Sequence, residues 1–181
     1  GYFYNTVDFD PGPGVANLTA NGGSDCFISK LDVNGQFVWA KSLGGTEHAV
    51  GRAIAVDALG NVYTTGHFEG TVDFDPGAGV FNLSTTYSNW EDDIFISKLN
   101  ANGQFLWAKS IGSGTPNAGG GGMGDDRGYS IAVDASGNVY TTGAFDGTVD
   151  FDPGTGIHNL ICSTSSSDIF ISKLNANGQF V

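Results

Sequence analysis

Basic side chains are scarce in this chain. Seven Lys and Arg stand against 19 Asp and Glu, a net charge of −12 over 181 residues. Proteins that hold phosphate backbones or anionic lipid surfaces need clustered Lys and Arg, so neither nucleic acid nor a membrane surface is an expected partner. The chain also lacks any apolar run of about 18 residues or more, and no membrane insertion is expected. Its first residues have neither the basic start nor the apolar core of a signal peptide, which excludes nothing in a chain that can begin mid-protein. Cys26 and Cys162 are too few for a disulfide framework, show no CxxC or Cys/His metal spacing, and leave the redox compartment open. Charged residues make up only 14% and hydrophobic ones 40%, a balance too apolar for a disordered chain.

Glycine is abundant instead, at 29 residues, and Phe contributes 13, mostly in short apolar stretches. Brief strands joined by tight turns suit that composition better than long helices. An all-β fold is expected.

Internal repetition dominates the sequence. TVDFDPG begins at Thr6, Thr71 and Thr148, FISKL at Phe27, Phe95 and Phe170, and NGQF at Asn34, Asn102 and Asn177. WAKS occurs at Trp39 and Trp107, and IAVDA.GNVYTTG at Ile54 and Ile131. One unit is therefore about 65 to 77 residues. The difference between units falls largely in GSGTPNAGGGGMGDDRG, a tolerant surface loop. Gly119 to Gly122 lack the Lys-Ser/Thr pair and the helix that a phosphate-cradling loop needs.

Four segments of each unit read as strands. IAVD turns at an Asp/Gly/Asn loop into NVYTTG, and FISKL turns at Asn-Gly into QFLWAKS; Asn-Gly between apolar runs is the strongest short-range hairpin signal. Thr71 to Leu83 reads as a smaller third hairpin turning at Asp75-Pro76-Gly77. Alternation leaves both faces of the third strand apolar, so each sheet must be covered on both sides, as neighbouring copies would do. The expected core comprises Phe27, Ile28, Leu31, Ile54, Val56, Phe95, Ile96, Leu99, Ile131, Val133, Phe170, Ile171 and Leu174. Lys30, Lys41, Lys98, Lys109 and Lys173 sit in the third and fourth strands, where lysines discourage edge-to-edge aggregation.

Radially repeated four-stranded antiparallel sheets, with small inner and charged outer strands, describe a β-propeller. The run IAVDASGNVYTTG, followed by DIFISKLNANGQF and WAKS, resembles the SBBP family of bacterial β-propeller repeats over essentially the whole chain. The inserted TVDFDPG resembles a subtype seen in large secreted or surface proteins of bacteria. The resemblance implies a propeller scaffold, extracellular or cell-surface placement and no established catalytic activity. On this reading residues 1–43 are the C-terminal part of a blade, 44–111 a complete blade, and 112–181 a nearly complete blade with a Gly-rich insert at 112–127. These two and a half to three blades are expected to belong to a larger propeller, because closure usually takes four or more. A string of immunoglobulin-like sandwiches is the alternative, with nearer seven strands per unit.

The acids recur. Asp8, Asp10, Asp73, Asp75, Asp150 and Asp152 come from DFDPG, and Asp25, Asp93 and Asp168 precede the third strand. Two carboxylates at i and i+2 beside a Pro-Gly turn could hold Ca²⁺, and the absence of recurring His or Cys disfavours Zn²⁺. The competing reading is turn chemistry, for which Asp before Pro-Gly is well suited. Repetition argues against a glycosidase, whose two acids form one constellation. His48, His67 and His158 do not recur and read as loop or surface residues without triad context. Cys26 stands where the other units have Ile94 and Ile169, as a buried small hydrophobe. Trp39 and Trp107 read as packing between blades, whereas Trp90 lies in a nonrecurring stretch where an aromatic could stack on a sugar or dock on a protein. The expected function is a non-enzymatic structural or interaction module whose partners are other repeats, and a protein or glycan ligand. The alternative is a calcium-dependent, lectin-like propeller.

Overall fold

The computed structural model describes residues 1–86, 91–113, 124–162 and 166–181. All of its regular structure is β, and the described residues contain no helix. The first repeat supplies β1 (Tyr2–Phe3), β2 (Thr6–Asp8), β3 (Asn17–Thr19), β4 (Asp25–Leu31) and β5 (Phe37–Gly45). The second supplies β6 (Ala49–Val56), β7 (Val62–Phe68), β8 (Thr71–Asp73), β9 (Asn82–Ser84), β10 (Asp93–Leu99) and β11 (Phe105–Ile111). The third supplies β12 (Arg127–Val133), β13 (Val139–Phe145), β14 (Thr148–Asp150), β15 (Asn159–Ile161) and β16 (Asp168–Leu174).

The second repeat builds a four-stranded antiparallel sheet in the order β11-β10-β7-β6. Its two hairpins are those the turn residues dictate. Gly103 of the Asn-Gly turn has φ of +74°, a left-handed conformation that L side chains rarely adopt. In the other hairpin, Asp57 Oδ1 accepts from the amides of Leu59 and Asn61 at 2.9 Å each, which bends the chain before β7 begins. The third repeat shows the same order over β12-β13-β16, and the first over β1-β4-β5.

The small hairpin does not join the sheet of its own repeat. β8 pairs with the end of β5 through Gly44↔Asp73 and Gly45↔Val72, so the β8–β9 hairpin extends the preceding sheet. A Cβ on Gly45 would stand 2.0 Å from the Thr71 carbonyl oxygen, so the two chains approach here more closely than a side chain on residue 45 would allow. Val149 of β14 makes the corresponding bridge to Ser113, past the end of β11. The second and third repeats are each thereby laced to the one before.

Sheets stack face to face with two apolar layers between them. The first layer holds Cys26, Ile28 and Leu43 of the first sheet against Val62, Phe95 and Leu99 of the second. The second holds Tyr63, Ile94 and Ile96 of the second sheet against Ile131, Phe170 and Leu174 of the third. Cys26 is fully buried, as expected of a small hydrophobe, and burial pushes its thiol up to about 12.

Several expected core residues are exposed. Ile171 is 80% exposed although Ile96, its counterpart, is 1% exposed, because no described strand covers that face of the third sheet. Ile54 and Val56 are 56% and 60% exposed, while Ile131 is 8% exposed and Val133 half-buried. They face the part of the first sheet where only the short β1 precedes β4. Leu31, at the end of β4, is exposed as well.

The strand lysines also differ from expectation. Lys98 is buried, its Nζ lies 4.8 Å from the centroid of the Tyr63 ring, and it donates to the Ala176 carbonyl at 3.2 Å. Trp107 Nε1 donates to the same carbonyl at 3.2 Å. Lys30 and Trp39 hold the Ala101 carbonyl in the same way, at 3.0 and 3.3 Å. Lysine and tryptophan thus clamp the Asn-Gly turn of the next repeat, and guarding an edge is not the role of this pair of lysines.

Candidate functional site

The DFDPG acids are engaged within their own turns. Asp73 Oδ1 accepts from the amides of Asp75 (3.0 Å) and Phe81 (2.8 Å), and Asp75 Oδ1 accepts from Gly77 (2.8 Å). Asp8 and Asp10 repeat this on Asp10, Ala16 and Gly12, as do Asp150 and Asp152 on Asp152, His158 and Gly154. These bonds hold the Asp8 carboxyl below its ordinary value, the Ala16 amide contributing most. Among the described residues no group of three or more His, Cys, Asp or Glu side chains is arranged to hold a metal ion.

The phenylalanine between the two acids has a separate task. Phe74 is fully buried between Phe68 and Phe95, with ring centroids 5.5 and 5.1 Å away. Phe151 sits likewise between Phe145 and Phe170, and Phe9 between Phe3 and Phe27. The two acids shape the loop and the ring anchors it. The signal was present as the alternation Asp-Phe-Asp, which points the ring opposite to the carboxylates.

One copy of this loop leaves an opening. In the later repeats Phe81 stacks on Phe105 at 4.7 Å and His158 on Phe180 at 4.6 Å. The first repeat has Ala16 at that position, and a cavity of about 380 Å³ opens between Asp10, Pro11, Pro13, Asn34, Gln36 and Phe37. Its acid, amides and half-buried aromatic are groups that meet sugar hydroxyls and ring faces.

A second nonrecurring constellation lies at the rim between the second and third sheets. Arg127 Nε donates to Asp92 at 2.6 Å and its Nη2 to Asp125 at 2.8 Å. His67 Nε2 stands 3.8 Å from the same Asp92 oxygen. Fully buried Asp126 accepts from the amides of Ser113 (2.7 Å) and Asp146 (3.0 Å), joining the approaches to three strands. Burial pushes the Asp126 carboxyl from an ordinary 3.8 up to about 8, and that of Asp93 to about 6. Burial, reinforced by Arg127 and Arg52, lowers the His67 ring from 6.5 to about 3. The counterparts of Asp126, Arg127 and Asp92 are Ala49, Val50 and Ser24, so at the rim between the first and second sheets the same positions are largely apolar. Chemically the cluster can store a proton on Asp126 and neutralise acids with Arg127.

His67 is therefore buried in β7, contrary to the expectation of a surface residue, because His67 replaces what is Ala144 in the next sheet and leans on the Asp92–Arg127 pair. His48 and His158 are exposed, as expected. His48 Nδ1 does lie 3.2 Å from Ser24 Oγ, a pairing that the sequence did not disclose. A triad would need a carboxylate to orient that ring, and neighbouring Asp25 instead accepts from the Asn21 amide at 3.2 Å. Trp90 and the glycines 119–122 lie outside the described residues. Sequence reasoning also missed the Tyr63 hydroxyl donating to Asp57 Oδ2 at 3.1 Å, repeated by Tyr140 and Asp134 at 3.2 Å. The spacing Asp-x5-Tyr was its available sign.

No family model matches the chain. It is 27% identical, over 96% of its length, to an uncharacterised WD repeat-containing protein of Acanthamoeba polyphaga mimivirus. It is 28% identical, over 75% of its length, to the regulatory protein FlaEY of Caulobacter vibrioides. The chain spans 12% and 13% of the lengths of these two relatives. An all-β chain of several antiparallel sheets, similar to a WD repeat-containing protein, points to a β-propeller-type repeat architecture.

Proposed function

We propose that the chain is a run of β-propeller blades of the SBBP type, serving as a non-enzymatic structural and interaction module of a secreted or surface-exposed bacterial protein. One observation carries the reading: recurring polar side chains are used to lace repeat to repeat. Lys98 and Trp107 hold the Ala176 carbonyl, Lys30 and Trp39 hold that of Ala101, and the DFDPG acids hold their own turns. A scaffold invests its polar groups in this way, and function then sits on exposed faces and loops. The test is a panel of hydrolase substrates with protein purified to homogeneity, beside pull-down of repeat fragments of the source protein. Turnover that co-purifies with the chain would reject the reading.

A second reading, calcium-dependent carbohydrate binding, is favoured by the cavity at Asp10, Asn34, Gln36 and Phe37. Glycan arrays with and without Ca²⁺ test it. Sugar binding lost in Phe37→Ala supports the lectin role, whereas binding unchanged by that substitution removes this cavity from it.

A further inference from the structure

The first hairpin turns of the second and third repeats leave a cleft between them. One wall is the turn at 57–61 with Tyr63 and Lys98, the other the turn at 134–138 with Ala176, and they enclose about 200 Å³. Both walls belong to sheets that pack on each other through Tyr63, Ile131 and Leu174, so this junction alone shapes the cleft. Its volume falls below the roughly 300–1,000 Å³ of pockets that take drug-sized molecules, which leaves room for a single ring.

The acids at its edge have no oxygen to spare. Asp57 Oδ1 accepts from the amides of Leu59 and Asn61, and its Oδ2 from Asn61 Nδ2 at 2.8 Å and the Tyr63 hydroxyl at 3.1 Å. Ser136, Asn138 and Tyr140 fill Asp134 in the same way. Two bonds to each carboxylate oxygen exhaust its lone pairs, so these acids contribute charge but no further acceptor. Donors remain instead. Lys98 is buried and gives one N–H to the Ala176 carbonyl at 3.2 Å, an ammonium carries three, and among the described residues Lys98 forms no ion pair. The Tyr63 oxygen has donated its proton to Asp57 and keeps a lone pair beside that ammonium. Leu59, Ala58 and Ala135 line the rest of the cleft with apolar surface.

Unused donors next to a lone pair call for a ligand that brings hydroxyl oxygens. A net negative ligand would face the charges of Asp57 and Asp134 as well as that of Lys98, which favours a neutral one. We infer that the cleft between these two turns is a binding site for a neutral sugar ring. Lys98 donates to its hydroxyl oxygens, the Tyr63 oxygen accepts from a hydroxyl, and Leu59 and Ala135 meet its C–H face. The inference goes beyond the calcium-dependent reading, because it concerns a different cavity and its carboxylate oxygens are all engaged, so binding here needs no cation.

The test titrates the whole chain, in chelator, with the methyl glycosides of glucose, galactose and mannose and follows amide chemical shifts. Saturable binding of one of them with a dissociation constant of about 1–10 mM, moving the amides of Ala58, Leu59 and Ser136, is the expected result. Ser136→Phe, at an exposed turn position, places a ring in the mouth and is expected to weaken binding about tenfold or more while the chain stays folded. Lys98→Met keeps the stem, removes the donors and is expected to lose as much. Glucuronate should bind more weakly than the neutral glucoside, and Phe37→Ala should change nothing. No saturation by about 100 mM of each sugar, binding unaltered by both Ser136→Phe and Lys98→Met, or tighter binding of glucuronate would each overturn the inference. So would binding that appears only with Ca²⁺ and is lost in Phe37→Ala, a result that would support the other cavity, so the two readings fail separately.

Discussion

The junction between the first and second sheets and that between the second and third are built from the same residue types and reach different degrees of burial. Ile54 is 56% exposed and Ile131 8%, although both begin an Ile-Ala-Val run at the same place in their strands. The second junction contains Tyr63, whose ring closes the layer, and the first has a cavity at the equivalent place. A repeat therefore carries only half of each layer, and its apolar residues become core only when the adjoining strand is in place. The rims differ in the opposite sense. The better-packed junction carries Asp126, Arg127, Asp92 and His67, where the other has Ala49, Val50 and Ser24, so polar chemistry accompanies the more complete layer.

The sharpest test of what a covering sheet adds is Tyr63→Ala against Tyr140→Ala, its counterpart on the face of the third sheet that no described strand covers. The first removes a fully buried ring, a hydrogen bond and a cation–π contact, and is expected to cost about 3–5 kcal/mol by denaturant unfolding. Tyr140, 36% exposed, should cost about 1 kcal/mol or less. Equal losses would mean that the third sheet, which packs over Tyr63, adds nothing to the worth of that ring.

Ile131→Ala and Ile54→Ala repeat the comparison with smaller side chains. About 2–4 kcal/mol is expected for the buried Ile131 and well under ~1 kcal/mol for Ile54. Urea titration of each variant measures the two values, and equal losses would mean that Ile131 gains nothing from its burial.

The polar rim of the second junction predicts a pH dependence that the apolar rim of the first does not share. Asp126 holds its proton up to about pH 8 when folded but only to about 3.8 when unfolded, so the stability it contributes is complete below 3.8 and is lost as pH rises through 8. His67 acts in the other direction: it stays neutral down to about 3 when folded and would bind a proton below 6.5 when unfolded, so its contribution is lost as pH falls from 6.5 towards 3. The two oppose each other below 6.5. Between 6.5 and 8 Asp126 acts without His67, and stability should decline by at most ~1.4 kcal/mol per pH unit. Thermal melts of Asp126→Asn should be flat in that window, and a retained slope would assign the titration elsewhere.

The smallest effect should come from the loops that serve both junctions alike. Asp73→Ala removes an acceptor of two amides and should cost about 1–2 kcal/mol, with Asp73→Asn costing less because Oδ1 is kept. Melting in chelator against millimolar Ca²⁺ decides whether a cation also contributes: a site a hundredfold saturated would add about 2.7 kcal/mol. An unchanged melting temperature would leave the DFDPG acids as turn chemistry alone.

Much of this architecture was legible because it is local. Asn-Gly and Asp-Ala-x-Gly-Asn demand left-handed backbone at one residue, and every such hairpin forms where its residues stand. Cys26 in place of isoleucine and Trp39 and Trp107 between repeats could be read by comparing one unit with the next. Alternation showed that both faces of a strand are apolar, and so that sheets must stack.

The sequence by itself thus determined the strands, their turns and the need for a neighbour on each face, since these follow from backbone preference and from the period of apolar residues. Only the tertiary structure decided which faces acquire that neighbour. It buried Ile96 and left Ile171 exposed, and it turned Lys98 from an edge charge into a clamp on the next repeat. It also gathered Asp92, Arg127 and His67 at one rim, and sent the β8–β9 hairpin to the preceding sheet. Identical motifs cannot encode such differences, because burial depends on whichever strand lies across the layer, and that strand belongs to another repeat.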